Sequence, residues 1–423
     1  MSDQPIYPEA QFVHAETQFL HGGNDGDEAT GATTNTIYPS AAFAYDSAEA
    51  IENVFAGREP GYIYTRLHNP TVTAFEKRMT ELEGGFGALA CASGMAAISS
   101  TVLALAGQGD EIISGTGIFG GTYSLFSRTL PRCGVVTRFV PSTDIAAYRA
   151  AITDRTRLIF VETVGNPKLD VPDIAAIARV AKDAGIVLVV DSTTTTPYLV
   201  RPGALGADIV IHSTSKFING HGTAIGGVII DCGSFNWGGP RAALVHEYHK
   251  RAGRFAFLAA LRSLIHRDLG CCLSPFSAFL MSIGIDSLGV RMQRHCENAA
   301  QLAAFLAGDA RVVEVRYPGL AAHPEHAVAA RQFGGKFGAL MAVRLGTRER
   351  AFRFINGLER ALILANLGDV KTLVIHPAST ICRDASAEGR AAMGVTDDLV
   401  RISVGIEHID DIREDFSRSL GKL

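Results

Sequence analysis

Lys216 has the sequence context of a lysine that forms a Schiff base. It follows an apolar run, residues 209–211, and then His-Ser-Thr-Ser, so three hydroxyl side chains directly precede one amine. A lysine just past a buried strand is positioned by a rigid sheet, and neighbouring hydroxyls can donate hydrogen bonds to a bound phosphate. The alternative is a solvated lysine that simply ends a strand. The residues at the other strand ends help to decide between these two interpretations of Lys216.

Three further strand ends carry polar groups. The segment Ser93-Gly94-Met95 precedes a helix whose first amides could bind an anion, although Ser-Gly is also an ordinary N-cap. Asn166 lies in a Gly-Asn-Pro turn, where its amide could bind a ligand oxygen or serve the turn alone. Asp191 ends a wholly apolar strand, so its carboxylate needs a cation such as a protonated pyridine nitrogen, unless it caps the residues that follow. Ligands bind at the carboxyl ends of parallel strands, which predicts one shared site.

A glycine-rich stretch suggests a different class of site. Residues 115–120, Gly-Thr-Gly-Ile-Phe-Gly, match GxGxxG, follow a strand and have Asp144 downstream, a pattern typical of dinucleotide binding and of a nucleotide-dependent oxidoreductase. The preceding strand is not the first of the predicted sheet. A dinucleotide site would also leave Lys216, Asp191 and Asn166 without a function. Dinucleotide binding is therefore the less favoured hypothesis.

The elements that must position these residues alternate between strands and helices. Strands are predicted at 86–92, 110–114, 135–140, 157–163, 186–191, 208–213 and 227–231. Helices are predicted at 71–83, 95–106, 121–130, 145–152 and 172–184. Val/Ile runs such as residues 186–190 are typical of strands buried on both faces. The pattern predicts an α/β fold with a mostly parallel seven-stranded sheet and helices on both faces.

The length of 423 residues exceeds what a single core usually supports, which predicts more than one domain. Residues 1 to about 60 are irregular apart from short helical signals around 47–55, and we expect residues 1–70 to form an opening arm rather than a compact domain. Residues 71–274 carry the alternating pattern. From residue 275 onward, helices at 274–283 and 288–306 precede mixed strands and helices, which predicts a smaller C-terminal α+β domain.

Composition excludes several function classes. A net charge of −4 does not indicate the excess of positive charge that nucleic-acid binding needs. No apolar run approaches membrane-spanning length. The first residues lack the basic start and apolar region of a secretory signal, so we expect a cytoplasmic protein. The seven cysteines lack CxxC or CxxxC spacing, which favours free thiols over disulfides and predicts no metal site.

Taken together, the motifs resemble those of the Cys/Met-metabolism family of pyridoxal-phosphate enzymes, which have fold type I. The resemblance covers residues 19–420. The matching stretches are YTRLHNPT, ETVGNPKLDV, HSTSKFINGHGTAIGGVIID, LGCCLSPFSAFL, ANLGDVKTLVIHPAST and VRISVGIEHIDD. Within the family, the chain is most similar to the O-acetylhomoserine sulfhydrylases.

The resemblance implies a role for each matching residue. Lys216 would bind pyridoxal 5'-phosphate through its amine and act as the catalytic residue. Arg401 would bind the substrate α-carboxylate with Ser379 nearby, although a surface ion pair is the alternative for Arg401. The other cofactor contacts would come from Ser93, Gly94, Met95, Ser213 and Ser215 at the phosphate, Asp191 at the pyridine nitrogen, Asn166 at the ring hydroxyl, Phe119 stacked on the ring, and Thr193.

The resemblance also implies an oligomer. In the family, the Tyr and Arg of the YxR motif reach the phosphate of a neighbouring subunit, so Tyr64 and Arg66 imply active sites shared across an interface. The opening arm would contact that neighbour. A dimer is then the minimum assembly, and a homotetramer made of two such dimers is usual for the family.

The implied reaction is γ-replacement on O-acetyl-L-homoserine by sulfide or a small thiol, in sulfur amino-acid biosynthesis. Alternatives with the same cofactor are O-succinylhomoserine sulfhydrylation, cystathionine formation, methionine γ-elimination and substitution by a non-sulfur nucleophile. Gly121 stands where methionine γ-lyases usually carry Cys, which weighs against the lyase. Three departures from the family pattern leave the exact substrate open: Phe119 replaces a stacking Tyr, Ser192 replaces an Asn, and Ile381-Cys382 replaces Thr-His.

Overall fold

The computed structural model describes residues 14–26 and 30–423. Its first sheet has seven strands in the spatial order β1-β7-β6-β5-β4-β2-β3. Strand β7 pairs antiparallel with both β1 and β6, and the other neighbours are parallel. These strands are β1 Gly87–Cys91, β2 Glu111–Gly115, β3 Val136–Val140, β4 Thr156–Glu162, β5 Val187–Asp191, β6 Ile209–His212 and β7 Gly227–Asp231. The predicted mostly parallel seven-stranded sheet is confirmed.

Helices cover both faces of this sheet, as predicted. Leu188 and Val190 of β5 belong to one buried cluster, whereas Val187 and Val189 belong to another. The alternation follows from the two-residue period of a strand, and an all-apolar strand is stable only when both faces are covered. The helices are α1 Ala15–His21, α2 Ala48–Phe55, α3 Pro70–Glu83, α4 Gly94–Leu105, α5 Gly120–Ser124, α6 Ile145–Ala151, α7 Ile174–Ala184, α8 Thr196–Leu199, α9 Ala243–Ala252, α10 Ala256–Ala260, α11 Arg267–Leu269, α12 Pro275–Asp286, α13 Leu288–Ala307, α14 His326–Gln332, α15 Arg348–Gly357, α16 Ala387–Ala392 and α17 Ile409–Leu420.

A second, smaller sheet lies in the C-terminal part of the chain, in agreement with the predicted α+β region. Its order is β10-β11-β12-β9-β8, with one parallel pair, β10 with β11. These strands are β8 Glu314–Arg316, β9 Leu340–Arg344, β10 Leu362–Ile363, β11 Leu373–Ile375 and β12 Leu399–Ser403. One buried cluster contains residues of both sheets, so the two share a core. A domain boundary at residue 274, just before α12, stays a prediction.

Two local predictions were wrong. Helix α1 lies in the segment expected to be irregular; its Phe19 is 2% exposed, and the Phe19 carbonyl accepts a hydrogen bond from Arg78 at 2.6 Å. The helix packs against α12 and α13 of its own chain. The helix expected at 121–130 is instead α5, a π-helical segment Leu125–Thr129 and a 3-10 turn Leu130–Cys133. Pro131 has no amide hydrogen, so it cannot continue the α-helical hydrogen bonds.

The remaining short elements complete the description. Another π-helical segment spans Leu261–His266, and 3-10 turns span Pro202–Leu205, Gly253–Phe255 and Pro377–Ser379. Among the described residues, no helix is both long and apolar enough to span a membrane.

Candidate active site

A cavity of about 530 Å³ lies at the carboxyl ends of the strands of the first sheet. Eleven of the fourteen residues predicted for the site line it. They are Ser93, Gly94, Met95, Phe119, Asn166, Asp191, Thr193, Ser213, Ser215, Lys216 and Arg401. The strand ends of a parallel sheet meet at one edge, which brings together residues as distant in sequence as Ser93 and Lys216.

Lys216 lies half-buried on the turn that follows β6. Its Nζ donates a hydrogen bond to Asn366 Oδ1 at 2.6 Å. Burial, with a smaller contribution from the positive charge of Arg401, lowers the pKa of Lys216 to about 8. The turn is held in place because Ser215 Oγ accepts a hydrogen bond from the Gly226 amide at 3.0 Å. A fixed amine that is partly unprotonated near neutral pH can act as a nucleophile or as a base.

The N-terminus of α4 opens onto the same cavity. Ser93 is its N-cap, with Oγ accepting a hydrogen bond from the Ala96 amide at 3.0 Å. A Cβ atom on Gly94 would lie 2.6 Å from the Cβ of Ser213, so only glycine permits this close approach of α4 to β6. The Ser213 amide in turn donates to Thr193 Oγ1 at 2.8 Å. A helix N-terminus with two serine hydroxyls beside it, Ser213 and Ser215, suits a phosphate group.

Two buried carboxyl groups, those of Asp191 and Glu162, line the same cavity. Burial raises the pKa of Asp191, and the Thr193 amide donates to Asp191 Oδ1 at 2.9 Å. Glu162, which was not predicted, pairs with Asp191 in the register of β4 and β5. Burial, together with the charge of Asp191, raises the pKa of Glu162 well above its usual value. Neither carboxyl forms a salt bridge with any described residue, so this end of the cavity favours a cationic ligand group.

Arg401, on β12, lies on the cavity and is 3% exposed. Its guanidinium donates to Asn166 Oδ1 at 3.2 Å and to the Asn366 carbonyl at 2.7 Å, and its Nε has no hydrogen-bond partner among the described residues. Burial lowers the pKa of Arg401 to about 10. The alternative of a surface ion pair is wrong, because Arg401 is buried and forms no ion pair with any described residue. A buried guanidinium with an unused donor favours an anionic ligand such as a carboxylate.

The glycine-rich loop does not have the space that a pyrophosphate would need. A Cβ on Gly117 would lie 2.1 Å from Asp170 Oδ1, and one on Gly120 would lie 2.6 Å from the Ile381 carbonyl. The close neighbours of these glycines are therefore protein atoms, and the helix that follows, α5, has only five residues. The loop instead positions Phe119, whose amide donates to Glu162 Oε1 at 2.6 Å. The geometry argues against dinucleotide binding.

Three predicted residues do not line the cavity of this chain. Tyr64 is 44% exposed, and Arg66 is also exposed, with a hydrogen bond to the Arg267 carbonyl. Ser379 lies on the 3-10 turn Pro377–Ser379, where its Oγ is 2.8 Å from His376 Nδ1. Cys382 also lies off the cavity, in a small apolar cluster, and burial raises its thiol pKa to about 11. The neighbouring Ile381 lines the cavity instead.

The family follows from the sequence match. The model of the family described as Cys/Met metabolism PLP-dependent enzyme, where PLP is pyridoxal 5'-phosphate, matches residues 16–421. The chain belongs to this family of PLP-dependent enzymes. Fold type I and PLP, both implied by the motifs, are thereby confirmed.

Similar proteins cover nearly the whole length of this PLP-dependent enzyme. Sulfhydrylase FUB7 of Fusarium oxysporum f. sp. lycopersici is 42% identical, over 98% of this chain and 99% of its own. O-acetyl-L-homoserine sulfhydrylase of Leptospira meyeri is 42% identical, over 96% and 97%. A crystal structure of a Campylobacter jejuni protein assigned as an O-acetylhomoserine (thiol)-lyase is 32% identical, with a TM-score of 0.91 over 96% of this chain and 100% of that one. That structure contains a pyridoxyl-lysine monophosphate residue.

The residues of the cavity fit PLP. The N-terminus of α4 with Ser213 and Ser215 suits its phosphate, and the buried Asp191, which has no cation among the described residues, suits its protonated pyridine nitrogen. When bound, PLP withdraws electrons from the substrate carbon next to its amino group. Glu162 and Asn366 were not among the residues predicted from the sequence. Each lies inside a matched stretch, ETVGNPKLDV or ANLGDVKTLVIHPAST, but only their contacts in the fold reveal them.

Proposed function

We propose that this PLP-dependent enzyme replaces the γ-substituent of O-acetyl-L-homoserine with sulfide or a small thiol. With sulfide, the C–O bond at Cγ breaks, a C–S bond forms, and the products are L-homocysteine and acetate. The observation that carries the proposal is that Lys216 and Arg401 share one cavity, each linked by a hydrogen bond to Asn366. A carboxylate bound at Arg401 brings the Cα proton of an amino acid near the Lys216 amine.

Each residue then has a defined task. Arg401 binds the α-carboxylate through the donors that the protein leaves free, and Asn166 orients its guanidinium. Lys216, with a pKa of about 8, would remove the Cα proton and then a Cβ proton before acetate leaves, and return protons to Cβ and Cα after the thiol has added at Cγ. Asp191 would keep the ring nitrogen of bound PLP protonated, and Phe119 would cover the ring but has no hydroxyl to share the proton transfers.

The lining of the cavity favours the acetyl ester over the succinyl ester. Among the described residues that line it, the cations are Lys216 and Arg401. Both are used in the proposed reaction, so the distal carboxylate of a succinyl group would have no partner charge among the lining residues of this chain. Two further lining residues, Ile225 and Ile381, are apolar and suit a small uncharged acyl group.

A panel of substrates tests the proposal. Purified enzyme is supplied with O-acetyl- or O-succinylhomoserine and with sulfide, methanethiol or cysteine, and amino-acid products and 2-oxobutyrate are quantified. We expect homocysteine from the acetyl ester and sulfide, with Lys216→Ala inactive and Lys182→Ala, on the exposed face of α7, unchanged. Predominant 2-oxobutyrate in the absence of any nucleophile would instead identify a lyase and reject the transferase.

We further propose that active sites are shared in a homodimer, two of which form a tetramer. Support comes from Tyr64 and Arg66, which are exposed and lie off the cavity of their own chain although they match the family motif. Mixing Arg66→Ala with Lys216→Ala subunits should then restore activity, because one of the two sites in each mixed dimer is intact. At equal amounts we expect about a quarter of native activity. No recovery after subunit exchange would argue against shared sites. The cytoplasmic location stays a prediction.

A further inference from the structure

Asn366 links the two cations of the cavity through different atoms. Its side-chain Oδ1 accepts a hydrogen bond from Lys216 Nζ at 2.6 Å, and its backbone carbonyl accepts one from Arg401 at 2.7 Å. No other hydrogen bond of Lys216 Nζ lies within the described part of the chain. A substitution at Asn366 therefore changes the contact with Lys216 and leaves the carbonyl that holds Arg401.

The loop that carries Asn366 is fixed against the lysine turn. The Gly368 amide donates to Ser403 Oγ at 2.9 Å, and the Val370 amide donates to the Gly220 carbonyl at 2.8 Å. A Cβ on Gly368 would lie 2.5 Å from the amide nitrogen of Phe217, so the loop packs directly on the residue after Lys216. Asn366 Oδ1 is thus presented to the amine by a rigid segment.

We propose that Asn366 is a positioning residue, which holds the free amine of Lys216 in line with the substrate carbon whose carboxylate is bound by Arg401. The proposal rests on the proposed function, in which one amine must serve both Cα and Cβ. A lysine side chain has four rotatable bonds, and a freed amine without an acceptor would spend most of its time in unproductive rotamers. The Oδ1 acceptor selects one of them.

The same contact should also influence the protonation of the amine, in addition to burial and Arg401. An acceptor oxygen stabilises the protonated amine more than the neutral amine, so its loss should lower the midpoint at which Lys216 deprotonates. A carboxylate at the same place should raise that midpoint by about one pH unit or more, as an opposite charge does at close range. Opposite shifts in two variants at one position are a signature that a purely structural role would not produce.

The test uses the cofactor-stripped full-length protein with Asn366→Ala and Asn366→Asp. Trinitrobenzenesulfonate modifies unprotonated amines, and peptide mapping reports the rate at Lys216 as a function of pH. We expect the midpoint to move to lower pH in Asn366→Ala and to higher pH in Asn366→Asp. In the PLP-loaded enzyme, kcat of Asn366→Ala should fall about tenfold or more, with KM for the amino acid changing less than about threefold, since the Arg401 contact remains.

Two controls separate this role from general effects. Ile225→Asp places a carboxylate at the exposed edge of the same cavity and should leave the Lys216 midpoint nearly unchanged, because solvent screens it. Asn366→Gln keeps the amide acceptor and should recover part of kcat. Unchanged midpoints in both Asn366→Ala and Asn366→Asp would overturn the inference. They would leave the proposed function intact, because that function is tested separately by the products of the native enzyme.

Discussion

Glu162 and Asp191 are register partners at the carboxyl ends of two neighbouring parallel strands, and both carboxyl groups are buried. Their pKa values are raised chiefly by burial, and the charge of Asp191 raises that of Glu162 further. Two adjacent buried acids without a cation are unfavourable for folding of the chain alone. Asp191 would hold the protonated ring nitrogen of PLP, and that positive charge would offset the two acids, so we expect cofactor binding to stabilise the fold.

We predict that Glu162→Gln stabilises the cofactor-free protein at about pH 8. The raised pKa of Glu162 means that the folded state binds more protons than the unfolded state, so stability decreases as pH rises from about 4.5 through the raised pKa. Gln keeps an oxygen that accepts from the Phe119 amide and has no charge to bury. Melting temperatures should increase by about 2–4 °C relative to native protein, and the difference should shrink at about pH 5.

Glu314→Gln is the matched control, because Arg316 lowers the pKa of Glu314 and the sign reverses. At Glu314 the folded state binds fewer protons than the unfolded state, so Glu314→Gln should slightly destabilise the protein near neutral pH. An equal increase in melting temperature for both variants would show that the effect at Glu162 is not electrostatic.

Sequence alone predicted the first sheet and most of the cavity because both depend on local signals. The Val/Ile run that forms β5 requires burial on both faces, and Asp191 and Lys216 follow their strands directly. The contacts of Asn366 with Lys216 and Arg401 span 150 and 35 residues, and no local pattern encodes them. Helix α1 was missed for the same reason, since its stability comes from packing of Phe19 against distant helices.

Arg401→Lys tests recognition of the carboxylate. Lysine keeps the positive charge but cannot donate to Asn166, to the Asn366 carbonyl and to a substrate carboxylate with the planar geometry of a guanidinium. We expect KM for the amino-acid substrate to rise about 10- to 100-fold, with the absorbance of bound PLP retained. Steady-state kinetics at saturating sulfide measure this.

Arg344→Lys provides the comparison for Arg401→Lys. Arg344 lies on the adjacent strand β9 and pairs with Asp398 and Glu314 away from the cavity. The Arg344→Lys substitution should leave KM for the amino-acid substrate unchanged. An equal rise in KM for both variants would show that the effect comes from a disturbance of the second sheet and not from loss of carboxylate binding.

Phe119→Tyr adds a hydroxyl to the ring that lines the cavity. With a pKa of about 8, roughly a tenth of Lys216 is unprotonated at about pH 7, so a second proton-transfer group should help most there. We expect kcat to increase several-fold at about pH 7 and less at about pH 9, measured as homocysteine formation across that range. An unchanged pH profile would contradict a role for the missing hydroxyl.

Gly121→Ala tests whether the position of the Phe119 ring matters for catalysis. A Cβ at residue 121 would lie 2.5 Å from Phe119 Cε1, and because the obstacle is a side chain, the ring should move while α5 stays folded. We expect weaker PLP binding and a loss of kcat of about tenfold or more, measured by cofactor titration and product formation. Gly308→Ala, whose Cβ would meet only ordinary contacts at 3.6 Å and beyond, should be neutral. Because Phe119→Leu removes the clash, adding Gly121→Ala to it should cost less than in native enzyme, and strict additivity would contradict the contact.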